Sequence, residues 1–157
     1  MEWVSTDLSG DLGTLVVTGE QHFRLLEHTA DMGIEARATS REGVFEEMAR
    51  GLKMLIFGDV EAEAKVSAEL KASGDNPLDV LVAWLNEVVY WSEKDNLVPA
   101  TFRVEALSDD GVVAVVAGEA FDALRHGVER QVKSVTYHQA CLERTADGWY
   151  ARVYVDL

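Results

Sequence analysis

The sequence has little cysteine and little proline: one cysteine, Cys141, and two prolines in 157 residues. A single cysteine excludes a disulfide within the chain and a zinc site built from several cysteines. No apolar run approaches the roughly 20 residues needed to cross a bilayer. Residues 1–21 lack the basic start and the compact apolar stretch of a secretory signal. We therefore expect a soluble protein of the cytoplasm, with no membrane association.

Basic residues are scarce as well. Lys and Arg together number 14, against 28 Asp and Glu, which gives a formal net charge of −14. A negative surface repels phosphate backbones, whereas nucleic-acid-binding proteins usually carry a basic face. We therefore expect no direct binding of nucleic acid, and any role in RNA chemistry would act through another protein. The alternative interpretation is that the charge only keeps the protein soluble.

The composition also predicts how the chain is divided. Residues 1–20 contain four acidic residues, three glycines and no Lys or Arg. We interpret this segment as a flexible acidic leader with a short ordered stretch at residues 15–17. The remaining residues, 21–157, are of a length typical of one domain with a substantial core.

Apolar residues at helical spacing predict two helices. The first should begin after Ser40 as the cap and end at Gly58. The second should begin at Asn76-Pro77, a cap followed by a proline in the first helical position, and should end near Asp95.

Apolar residues at every second position predict the strands, which we expect at 22–27, 32–39, 59–73, 100–107, 112–119, 132–143 and 149–157. A tight connection at 28–31 should join the first two, and Ser108 to Gly111 should form a hairpin turn. The order ββ-α-β-α-ββ-ββ is typical of an α+β fold. We therefore predict a single domain with two helices packed on largely antiparallel β-sheets.

Carboxylates near the two ends of the predicted domain suggest a metal site. Asp31 lies in the short strand connection, and Asp156 precedes Leu157, whose side chain we expect on the core face with Val153 and Val155. Asp31, Asp156 and the backbone oxygens of Leu157 would be hard oxygen donors, which suit calcium or magnesium, with manganese as a third option. The alternative is that Asp31 caps a turn and Asp156 is solvated.

Three other side chains are candidates for contacts or chemistry. Lys133 could reach a phosphate or a carboxylate of a partner, or be an ordinary exposed lysine. His28 could ligate metal or transfer protons, or be hydrogen-bonded within a turn. Cys141 follows His138 by three residues, a spacing that places the two on opposite faces of a strand and disfavours a nucleophilic pair. The sequence contains no phosphate-binding loop or dinucleotide fingerprint, and we predict no catalytic residue.

Four motifs resemble, in the same order, the signature motifs of the archease family. They are FRLLEHTADMGIEA at 23–36, WLNEVVY at 84–90, VKSVTYH at 132–138 and VYVDL at 153–157. The resemblance covers about residues 22–157. Ser134 stands where alanine is commoner in the family, which is a small departure.

This resemblance implies a function that composition does not show. Archeases are non-catalytic protein cofactors of the GTP-dependent RNA ligase of tRNA splicing and RNA repair. They promote guanylylation of the ligase and permit multiple turnover. The resemblance also implies a divalent metal, calcium above all, at Asp31, Asp156 and Leu157. It assigns a required lysine to Lys133, and we group His28 and His138 with Lys133 as contacts to the partner or its nucleotide.

Two other function classes stay open at the level of the sequence. One is a metal-dependent phosphohydrolase that uses the carboxylate cluster with His28 as general base. The other is a general chaperone or adaptor, which would bind many unrelated proteins.

Overall fold

The computed structural model describes residues 15–18, 21–27 and 32–157. This part of the chain forms eight strands and two helices: β1 Leu15–Thr18, β2 Gln21–Glu27, β3 Met32–Ala38, α1 Arg41–Phe57, β4 Val66–Ser73, α2 Pro77–Lys94, β5 Leu97–Leu107, β6 Gly111–Ala120, β7 Ser134–Thr145 and β8 Gly148–Asp156. The predicted α+β class and element order are confirmed. The ordered stretch predicted at 15–17 corresponds to β1, whereas the predicted connection at 28–31 and most of the predicted leader lie outside the described residues.

The strands form two antiparallel sheets. The larger sheet has the order β1-β2-β3-β8-β7, and the smaller has the order β4-β6-β5. Strand β8 therefore lies between β3, from the other end of the domain, and β7, its neighbour in the chain. Because side chains alternate along a strand, Ile34 and Ala36 of β3 share one face with their partners Val153 and Ala151 of β8. All four are fully buried and form the sheet side of the core.

Both helices begin and end as predicted. The side chains of Ser40 and Asn76 accept hydrogen bonds from the backbone N–H groups of Gly43 and Asp79, at 2.9 and 3.0 Å. Helix α1 ends at Gly58, whose φ of 74° is the left-handed value that favours glycine. Neither helix is both long and apolar enough to span a membrane.

Helix α2 joins the two sheets, because it packs against both β4 and β7. Its fully buried Trp84 donates an indole hydrogen bond of 3.0 Å to the carbonyl oxygen of Phe45 on α1. The Trp84 ring also meets Phe102 of β5 edge to face, with ring centroids 6.4 Å apart. One side chain thus connects both helices and the smaller sheet.

The prediction of one long strand over 59–73 is wrong in its first half. Strand β4 begins at Val66, which pairs with Gly118 of β6. Before that point the backbone N–H of Glu63 donates to the side chain of Glu119, at 2.5 Å, instead of to a neighbouring strand. The alternating apolar pattern therefore begins several residues before the first residue of β4 that pairs with another strand.

The predicted strand at 132–143 is displaced and interrupted. Strand β7 begins at Ser134, and its pairing with β8 breaks between Thr136 and Cys141. Within the break, Gln139 has a φ of 52°, which a regular strand does not allow. Its carbonyl oxygen accepts a hydrogen bond of 3.0 Å from the Arg152 side chain. Residues 137–140 therefore form a bulge, which the sequence did not predict.

Candidate functional site

The end of β8 brings two of the predicted site residues together. Asp156 pairs with Ser134 at the start of β7, and the backbone N–H of Lys133 donates to the Asp156 carbonyl oxygen at 2.8 Å. Both side chains are exposed. A lysine ammonium group and a carboxylate thus emerge from neighbouring backbones, where both are accessible to another molecule.

The other side of β8 leads towards the remaining predicted metal ligand. Val155 pairs with Met32, the first residue of β3, and Met32 follows Asp31 in the sequence. Asp31 and His28 themselves lie outside the described residues. Within residues 15–18, 21–27 and 32–157, no three His, Cys, Asp or Glu side chains form a group that could hold a metal. The metal site therefore stays a prediction.

Leu157 differs from its predicted position. Its side chain is 45% exposed, so the expectation that it shares the core face with Val153 and Val155 is wrong. The reason is that β8 ends at Asp156, and Leu157 lies beyond the last backbone pair of the sheet. The exposed carboxylate of Asp156 and the backbone oxygens of Leu157 are nevertheless hard donors that fit calcium, magnesium or manganese better than zinc.

His138 lies on the bulge of β7 and contacts β8. Its ring meets the ring of Tyr154 edge to face, with centroids 6.2 Å apart. The Tyr154 ring in turn covers Gly33 of β3, where an added Cβ would come within 2.9 Å of it. Since Tyr154 and Asp156 are two residues apart on one strand, their side chains share a face of the sheet. His138 is therefore placed over the face that carries Asp156.

Asn86 is a residue whose role sequence reasoning missed. Its side-chain amide exchanges two hydrogen bonds with the backbone of Val135: Val135 N–H donates to Oδ1 at 2.8 Å, and Nδ2 donates to the carbonyl oxygen at 3.0 Å. Val135 follows Lys133 by two residues. Asn86 therefore fixes the start of β7, and with it the backbone that carries Lys133, onto helix α2. The sequence signals were its place in the WLNEVVY motif and its polarity among the apolar positions of α2.

Cys141 has the properties of a packed residue. It is half-buried, and burial raises the pKa of its thiol, so the reactive thiolate is disfavoured at neutral pH. This agrees with the interpretation of Cys141 as a small residue packed in the sheet.

Comparison with known proteins identifies relatives over nearly the whole described chain. The model of the archease protein family matches residues 23–157. The protein archease of Methanosarcina acetivorans is 34% identical over 139 residues, covering 86% of this chain and 95% of that protein. The protein archease of Pyrococcus furiosus is 33% identical over 135 residues, covering 83% and 95%. The solution structure of Methanobacterium thermoautotrophicum protein 1598 has a similar fold, with a TM-score of 0.62 at 24% identity, covering 86% of this chain and 98% of that one.

Proposed function

The chain belongs to the archease family, and we propose that it is a non-catalytic, metal-binding activator of the GTP-dependent RNA ligase of tRNA splicing. In this proposal it promotes guanylylation of the ligase and allows repeated turnover. The observation that supports the proposal most strongly is the backbone hydrogen bond between Lys133 and Asp156, which unites two family motifs at one exposed edge.

The acidic groups of this edge would hold the divalent cation. Asp31, Asp156 and the backbone oxygens of Leu157 would be the ligands, with calcium the first expectation. When bound, the cation neutralises carboxylates that would otherwise repel one another and presents positive charge to a partner. The backbone of Lys133 lies beside that of Asp156 and its side chain is exposed, so its ammonium group can contact a phosphate of the ligase's nucleotide or a carboxylate of the ligase.

The proposed activity works by positioning and electrostatics. The chain contributes acidic groups and a lysine whose backbone is held in place, while the half-buried thiol of Cys141, with its raised pKa, is unsuited to nucleophilic attack. Charged groups held in a fixed arrangement can orient a nucleotide phosphate without an intermediate of their own. The −14 net charge of the chain fits a partner that is a protein rather than RNA.

The test measures guanylylation and ligation turnover of the ligase from the same organism, with GTP and manganese. Asp31→Ala, Asp156→Ala and Lys133→Ala should each lower stimulation by about tenfold, the effect of one lost contact to a charged group. Asp147→Ala and Lys71→Ala are matched controls, because both residues are exposed and lie away from the site, Asp147 in the turn between β7 and β8 and Lys71 on β4. The proposal is wrong if all three site variants fold and stimulate like the unmodified chain, or if the isolated chain hydrolyses phosphoesters.

A further inference from the structure

A cleft of about 500 Å3 opens beside the candidate site. It lies between the C-terminal ends of α1 and α2 and the segment that joins β6 to β7, which we call the β6–β7 loop (residues 121–133). Apolar side chains predominate in its lining, among them Phe57, Val89, Phe121 and Val128. This volume is in the range of pockets that accept a ligand or a large side chain.

Hydrogen bonds fix the walls of the cleft relative to one another. The backbone N–H groups of Glu129 and Arg130 both donate to the carbonyl oxygen of Ile56 at the end of α1, at 2.7 and 3.2 Å. At the opening of the loop, Phe121 N–H donates to the Asn96 carbonyl oxygen at 2.8 Å. The loop is therefore fixed at both ends, and the cleft is formed before any partner binds, which lowers the entropic cost of binding.

A buried polar cluster fixes the middle of the loop. The carboxylate of Glu119, only 3% exposed, accepts a hydrogen bond of 2.6 Å from the Arg125 side chain. The buried ring of His126 accepts a hydrogen bond of 2.9 Å at Nδ1 from the backbone N–H of Asp122, and its Nε2 lies 3.6 Å from Glu119. These contacts hold the turn that begins at Asp122.

The fixed loop presents two apolar side chains to solvent. Leu124 is 96% exposed and Val128 is 56% exposed, on either side of the buried His126. The loop carries three basic and two acidic residues, although the whole chain has a net charge of −14. Exposed apolar groups on a rigid segment with little net charge are typical of the centre of a protein–protein interface.

The cleft is continuous with the candidate site. Gln131 and Val132 line it, and the next residue, Lys133, is the one hydrogen-bonded to Asp156. A protein that contacts Lys133 is therefore close to the cleft, because the two residues before Lys133 line it.

We propose that the cleft, together with Leu124 and Val128, is the surface on which the RNA ligase docks, and that the ligase inserts one of its own large apolar side chains into the cleft. This inference rests on the proposed function and adds the place of binding. Docking here would leave Lys133 and Asp156 at the adjoining edge to act on the bound nucleotide. A predominantly apolar cleft matches an apolar anchor, and buried anchors of this kind supply most of the binding energy of an interface.

The test separates binding from stimulation. The Kd for the ligase is measured by calorimetry, and guanylylation is followed at low and at saturating concentrations of this chain. Leu124→Asp and Val128→Asp should each raise Kd by about tenfold or more, with stimulation restored at saturation. Lys133→Ala should lower stimulation even at saturation. Both loop residues are exposed, so these two variants should fold like the unmodified chain, which thermal unfolding checks.

Val115→Asp is the matched control, since Val115 is a half-buried valine on the outer face of β6, between Glu69 and Arg103. The inference is overturned if both loop variants bind like the unmodified chain, or if Val115→Asp weakens binding as much as they do. In either case, the proposed function is still supported if the unmodified chain stimulates the ligase. If the unmodified chain neither binds nor stimulates the ligase, both proposals fail.

Discussion

Helix α2 and the β6–β7 loop border the same cleft, but they are ordered by different means. Helix α2 buries nine side chains, including Trp84, Leu85 and Val88, so its position follows from apolar area removed from water. Among the apolar side chains of the loop only Val132 is buried, and residues 121–130 are held mainly by directed hydrogen bonds to Asn96, Ile56 and Glu119. Stabilisation by apolar burial changes little with pH or with small displacements of a side chain. A directed hydrogen bond, by contrast, depends on the position of single atoms and on their protonation. The two regions should therefore respond differently to substitution.

The substitution with the largest expected effect tests whether apolar burial holds helix α2 in place. Trp84→Ala should lower the free energy of unfolding by about 3–5 kcal/mol, because it opens a cavity where α1, α2 and β5 meet. Denaturant titration followed by circular dichroism measures the loss. Trp84→Phe, which keeps most of the apolar volume, should lose less. A loss below about 1 kcal/mol for Trp84→Ala would contradict the central role of α2 in the core.

A second substitution tests the junction between α2 and β7. Asn86→Ala leaves the N–H and carbonyl of Val135 without their side-chain partners, so we expect a loss of about 1–3 kcal/mol. Amide exchange of Val135 should accelerate in the variant. Asn86→Asp keeps the acceptor for Val135 N–H and should protect that amide better than Asn86→Ala does. Equal exchange rates in all three proteins would refute the positioning role of Asn86.

The substitution with the smallest expected effect on global stability tests whether polar contacts hold the β6–β7 loop in place. The Arg125 hydrogen bond, followed by that from the Glu63 backbone, lowers the pKa of Glu119 from 4.5 to about 2. Because the folded-state pKa is depressed, this carboxylate stabilises the fold above about pH 4.5, and the contribution disappears as pH falls towards 2. Glu119→Gln should therefore lower Tm at pH 7, and its difference from the unmodified protein should shrink as pH falls from 5 to 2.

The same cluster gives a direct spectroscopic check. Arg125→Met removes the main cause of the shift, so the pKa of Glu119 should rise towards its usual value. Carbon NMR of the Glu119 carboxyl group measures this change. A Tm difference for Glu119→Gln that stays constant from pH 7 to 2, or an unchanged titration in Arg125→Met, would show that the loop is ordered by something else.

The sequence predicts the parts of the fold that depend on local interactions better than the parts that depend on residues distant in the chain. The caps Ser40 and Asn76 and the apolar spacing in both helices are local signals, and they gave both helices correctly. The strand limits depend on partners that are distant in sequence. Strand β4 begins only where Gly118 provides a partner, and β7 breaks at the left-handed Gln139, so neither event was visible in the period-two pattern.

The candidate site was predictable only in part, for the same reason. Motif resemblance singled out Lys133 and Asp156, and the structure joins them by a backbone hydrogen bond. The role of Asn86 depends on how α2 lies against β7, and the exposed position of Leu157 depends on where β8 ends. No local pattern encodes either. The convergence of Asp31 with Asp156 remains a prediction.

The central position of β8 also has a consequence for biosynthesis. Its pairs with β3, such as Ile34 with Val153, join residues more than a hundred positions apart. A ribosome therefore finishes α1 and all three strands of the smaller sheet before the larger sheet can close. Until then β3 has an unpaired edge, and contacts of such high sequence separation form slowly. The edge that carries Lys133 and Asp156 can thus form only after β8 has been synthesised, so a translation product interrupted before β8 would lack the surface proposed to meet the ligase.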